Sequence, residues 1–173
     1  MEKFAAILSV GGKTNSLGRS AEVLEAVLDN QDRLPDLYDC LFADDAWVRM
    51  RAADCLEKVC RQHSNWVEPY VDRMFSELTV STQPSIQWHL AQIFAQVELT
   101  PSQQKKAAEW LKNTLAAPVV DWIVAVNVMK TLLQFQRAGF VSSSEILPLF
   151  ELQQQHKSNT VRKKSVQFLR ELS

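Results

Sequence analysis

Residues 34–63, LPDLYDCLFADDAWVRMRAADCLEKVCRQH, constrain the fold more than any other stretch of the chain. They hold two helical patterns separated by a short acidic turn, and each pattern is apolar on one side only. Leu37, Cys40 and Leu41 recur at helical spacing on the first. Val48, Ala52, Leu56 and Val59 form a stripe on the second, with charged residues opposite. Neither helix can hide its apolar side alone. Such a pair must stack on further pairs, which predicts a helical-repeat fold whose work is holding a partner rather than converting a substrate.

Composition agrees with that prediction. A chain of 173 residues, 46 % hydrophobic and 23 % charged, suffices for one well-buried domain, expected to span 1–173. Its four glycines are scattered, which leaves no Gly-rich phosphate loop, and strand-like alternation is absent, so an all-α fold is expected. A formal net charge of −1 supplies no general attraction for nucleic acid or an anionic membrane. Met1–Val10 is too short for a secretory signal, and no segment is apolar for the length of a membrane helix, so a cytoplasmic protein is expected. Cys40, Cys55 and Cys60 are odd in number and sit at core-like helical positions, unlike a disulfide framework. Cys60 and His63 share a helix face, but nothing nearby supplies the two further ligands that zinc needs. No metal or other cofactor is expected.

Further pairs follow the first pattern. Phe4, Ile7 and Leu8 mark a short helix stopped at Gly11-Gly12. The polar residues Lys13-Thr14-Asn15 follow, and then a helix with Leu17, Ala21, Leu24 and Leu28 on one face. Asp44-Asp45 can cap the helix carrying Val48. Asn65 and Glu68 have capping-box spacing before a helix to about Thr79, and Pro84 opens the next. Thr100-Pro101-Ser102-Gln103 starts a helix carrying Ala107, Leu111 and Leu115. After a break at Ala116-Ala117-Pro118, a helix over 119–135 leads to Gly139, suited to a left-handed cap. Ser142 to Glu145 opens the last pair, and its second helix runs from about Asn159 to Leu172. Taking Leu17, Val48, Ile86, Val120 and Val161 as first apolar anchors gives intervals of 31, 38, 34 and 41 residues.

Leu34-Pro35-Asp36-Leu37, followed by Asp45, Val48-Arg49 and Ala52-Ala53, resembles the HEAT-repeat pattern of the armadillo-like α-solenoids. Leu147-Pro148-Leu149 with Val161-Arg162 echoes it. The resemblance implies about five antiparallel helix pairs in a right-handed superhelical stack, with the second helix of each pair lining a concave side. It further implies an aspartate–arginine ladder along the turns. This sequence departs from that ladder, because the place of Arg49 is taken by Gln87 and then by Asp121.

On such a scaffold the residues two, six and nine past each anchor point away from the core stripe. These are Met50, Asp54 and Glu57, a mostly solvated set; then Trp88, Gln92 and Ala95; then Trp122, Val126 and Met129. Trp88, Gln92, Trp122, Val126 and Met129 therefore form the candidate partner-binding patch, suited to an amphipathic helix. The competing reading is a central helix buried by both neighbours, or a register displaced by one residue. Arg162, Lys163, Lys164 and Arg170, preceded by Lys157, form a candidate basic patch that equally fits the solvated outside of a terminal repeat. The expected function is a noncatalytic protein-binding adaptor or scaffold, monomeric or weakly dimeric. The alternative is a HEAT-like DNA-binding protein or alkylpurine DNA glycosylase, for which Trp88, Trp122, Asp121 and Arg137 are the residues available. That alternative lacks a basic groove, and duplex DNA is not an expected partner. Another HEAT-like branch, the lyases and chaperones of bilin-binding proteins, is neither favoured nor opposed by these residues. His63, His89 and His156 are dispersed, and no nucleophile elbow or P-loop appears, so no catalytic residue is expected.

Overall fold

A computed structural model of the chain describes residues 2–11 and 16–172; the Lys13-Thr14-Asn15 segment and Gly12 lie outside them. Among the described residues there is no β-strand, and all regular structure is helical. Local chemistry accounts for where most helices begin. Asp45 Oδ1 accepts the Trp47 N–H at 2.7 Å, Thr100 and Gln103 form a reciprocal capping box, and Pro84 and Pro101 occupy first turns. The box expected at Asn65 and Glu68 does not form. Asn65 lies inside a short helix, and the Glu68 carboxylate accepts the backbone N–H of Glu98 at 3.3 Å, thirty residues away.

The chain forms two compact units. The first comprises Met1–Tyr70 with Gln96–Glu98, and the second Val71–Ala95 with Leu99–Ser173. In the first, α4 (Ala46–Gln62) is contacted by α1 (Phe4–Ser9), α2 (Ser20–Asp29), α3 (Leu34–Asp39) and α5 (Ser64–Val67). The stripe Val48, Ala52, Leu56 and Val59 is buried there with Phe4, Leu8, Leu37 and Tyr38. Each of the larger side chains contributes about 1.5–3 kcal/mol by leaving water. On α2 the buried face is Ser20, Val23 and Val27; Leu17 and Ala21, expected in the core, are exposed. The chain enters α2 only at Ser20, after Gly18 at φ +54°, so the helical phase begins later than the sequence pattern suggests.

The second unit consists of α6 (Val71–Glu77), α7 (Pro84–Phe94), α8 (Pro101–Ala116), α9 (Trp122–Arg137), α10 (Ser143–Gln153) and α11 (Asn159–Leu172). Contacts run in two rows: α6 to α8 to α10, and α7 to α9 to α11. Further contacts join α8 to α9 and α10 to α11. Side-chain hydrogen bonds between successive pairs span 31 to 40 residues, from Trp110 Nε1 to Thr79 O at the short end to Thr131 Oγ1 to Ala91 O at the long end. Helix α9 touches α7, α8, α10 and α11, which is why it is apolar almost all round.

The start of α9 corrects the fourth anchor. Asp121 is its N-cap, with φ −65° and ψ 145°, and its Oδ1 accepts the Ile123 N–H at 2.9 Å. Val119 and Val120 therefore precede the helix, and the residue matching Val48, Ile86 and Val161 at the third helical position is Val124. The corrected intervals are 38, 38 and 37 residues. A second regularity follows the same register. The residue after the anchor donates to the carbonyl six positions earlier: Arg49 to Ala43 at 2.7 Å, Gln87 to Ser81 at 3.0 Å, Arg162 to His156 at 2.7 Å. At the fourth position stands Ala125, which cannot do so.

Candidate functional site

The predicted patch falls on α7 and α9, neighbours in the second row. Gln92 Nε2 donates to Asn127 Oδ1 at 3.0 Å, and Asn127 Nδ2 donates to the Ile123 carbonyl at 2.8 Å, so the two helices are tied where the patch lies. Trp88 is half-buried with its ring stacked on His89, and Val126 is half-buried. Trp122 occupies the first turn of α9 and is 49 % exposed. Met129 does not belong to this surface. It is fully buried because α9 is covered by α7, α8, α10 and α11, so its packed sector is wider than one stripe; the change of anchor from Val120 to Val124 turns Met129 by only about 40°. Counted from Val124 the rule gives Val126, the exposed Lys130 and Leu133, and Leu133 is buried by the neighbouring helices as Met129 is. The face is thus aromatic at Trp88 and Trp122 and polar at Gln92, Asn127 and Lys130.

The same angular counting places Glu57 on a solvated surface, and this too is corrected. Glu57 is 3 % exposed, and its carboxylate accepts from Arg61 Nη2 at 2.7 Å and from Gln96 Nε2 at 2.7 Å within the first unit. The guanidinium and the amide together compensate the buried charge.

The residues available to a glycosylase are employed otherwise. Asp121 caps α9, while Arg137 lies at its far end, about 24 Å away at 1.5 Å per residue. Arg137 Nη2 is 2.6 Å from Glu171 Oε2. An aspartate and an arginine so separated cannot act on one nucleotide. Of the basic patch, Arg162 is spent on the carbonyls of His156 and Lys157 at 2.7 and 3.0 Å, and Lys164 Nζ donates to Gln167 at 3.0 Å. Lys163 and Arg170 are exposed. No group of three His, Cys, Asp or Glu among the described residues is arranged to hold a metal ion. Burial pushes the Cys60 thiol up to about 12, which opposes the thiolate a metal requires, and the His63 ring is stacked on Trp66 at 4.1 Å. Cys40 and Cys55 are likewise raised by burial, to about 11 and about 12.

The structure also shows a cleft of about 530 Å³ formed by the α8–α9 and α10–α11 turns. The sequence carries a signal for it: Pro118-Val119 and Leu152 place apolar or helix-breaking residues outside the core stripes. None of the described helices is long and apolar enough to cross a membrane. Comparison with family models and with curated proteins finds no match for the chain.

Proposed function

We propose that the chain is a noncatalytic protein-binding module built of HEAT-like helix pairs, with the exposed face of α7 and α9 as its contact surface. In this reading it works in the cytoplasm as a monomer or weak homodimer, without a cofactor. The repeat is supported by the 38, 38 and 37 residue spacing of the anchors and by the two rows of the second unit, in which each helix contacts the next of its kind. The observation that carries the functional reading is Trp122, a large aromatic 49 % exposed on a helix whose other faces are packed by four neighbours. Trp88 and Val126 extend it along the same row. Aromatic side chains left at the surface beside polar amides are what protein contact sites favour.

Trp122→Ala tests this reading. The variant should keep wild-type helicity by circular dichroism, since the side chain is half in water, yet lose the partners that the wild-type protein retains from native extract. Equal retention by both proteins would contradict it.

A further inference from the structure

Charge is segregated along the chain although its formal net value is −1. Residues 1–45 carry nine acidic and four basic side chains, and residues 155–173 carry five basic and one acidic. Part of each excess lies on one open helix face. On α11 the buried residues are Val161, Ser165 and Phe168, turned toward α9 and α10, and at about 100° per residue Lys163 and Arg170 point away from them. Val166, 39 % exposed, stands between the two cations. On α2 the buried residues are Ser20, Val23 and Val27, and the exposed Glu22, Glu25 and Asp29 occupy the opposite side. Glu22 is engaged by Arg19 at 2.7 Å. Lys163, Arg170, Glu25 and Asp29 form no side-chain hydrogen bond or ion pair among the described residues.

The two faces are complementary. Seven residues separate Lys163 from Arg170, and seven separate Glu22 from Asp29, about 10.5 Å along each helix. An unrelated acidic protein would answer α11 and leave α2 bare, and a nucleic acid would be repelled by α2. A second copy of the chain answers both faces at once. We propose that the chain self-associates through unlike surfaces, α11 of one copy docking against α2 of the next, with Lys163 and Arg170 meeting Glu25 and Asp29 around Val166. Each exposed pair is worth little alone, so the association is weak and sensitive to salt. Because the two surfaces differ, every added copy brings one face of either sign. The inference goes beyond the binding-module reading and does not use the α7/α9 surface.

Sedimentation velocity of the full chain tests this. At about 0.02 M salt the weight-average mass should rise with protein concentration above that of one chain, and at about 0.5 M salt it should return to it. Lys163→Glu with Arg170→Glu, and separately Glu25→Lys with Asp29→Lys, should each weaken association about tenfold. Circular dichroism should be unchanged in both, since all four side chains are exposed. An equimolar mixture of the two double variants should restore association, because the reversed α11 of one then meets the reversed α2 of the other. Single-chain mass at every concentration of wild type, indifference to either reversal, or a mixture that stays monomeric would overturn the proposal. Loss of association in Trp122→Ala with indifference to both reversals would put the contact on α7 and α9, overturning this inference and leaving the module reading standing.

Discussion

Arg51 carries a charge into the interior of the first unit, where, among the described residues, backbone carbonyls hold it. Its Nη1 donates to the Leu8 carbonyl, its Nη2 to Gly11 at 2.8 Å and its Nε to Ser16 at 2.9 Å. The planar fork suits three carbonyls brought together from Leu8 in α1, Gly11 and Ser16. Arg51→Ala removes the donors and leaves those carbonyls unpaired. It should lower the unfolding free energy by about 3 kcal/mol, read as a lower urea midpoint at unchanged slope. Arg51→Lys should recover only part, and an unchanged midpoint for Arg51→Ala would contradict the role. Glu145 acts at the surface. Lys112 Nζ at 2.7 Å, then the N–H and hydroxyl of Ser142, hold its carboxyl down to about 2, below the ordinary 4.5. Because the folded value is the lower one, its contribution to stability is present above the unfolded pKa and is lost as pH falls toward 2. The melting temperature of Glu145→Gln should therefore fall less than that of the wild type between about pH 5 and pH 2.5. Parallel curves would refute the linkage.

At the scale of the element, α9 separates what the sequence displays from what only the fold decides. Its end is legible. Gly139 takes φ +79° and donates to the Gln136 carbonyl, Phe140 donates to the Phe135 carbonyl, and the two phenylalanine rings meet edge to face at 5.2 Å. A Cβ at Gly139 would meet nothing, so Gly139→Ala should cost about 1 kcal/mol from backbone conformation alone, measured by denaturant unfolding. Its beginning is not legible from periodicity, because Val119 and Val120 continue the apolar pattern through a turn that Asp121 then ends. Met129 is buried for another reason, that four helices surround α9 and leave little of it open. The pair Trp122 and Met129 checks which part of α9 is covered. Trp122→Ala should change stability by under about 0.5 kcal/mol, and Met129→Ala should cost about 2–5 kcal/mol. Comparable costs would contradict it. Thr100 and Gln103 were readable because a capping box is local. The partner of Glu68 was not, since the Glu98 N–H arrives from thirty residues along the chain.

At the scale of the molecule, the legible part was the one-sided apolar stripe, repeated at Val48-Ala52-Leu56 and Ile86-Leu90-Phe94. It required helices that cover one another. Of the residues assigned to the proposed contact face, Trp88, Gln92, Trp122 and Val126 keep part of their surface open on α7 and α9, while Met129 does not. Of the cleft, only the apolar Val119 and Leu152 outside the core stripes were legible; that they face one opening depends on how two turns stand beside each other. The central claim is that in the second unit each helix leans on the next of its kind and not on the one beyond. Methyl–methyl NOE measurements on Ile-, Leu- and Val-labelled protein test this most directly. The account predicts strong cross-peaks between α7 and α9 and between α9 and α11, and at most isolated weak ones between α7 and α11. Strong direct cross-peaks joining α7 to α11, as in a closed bundle, would contradict it.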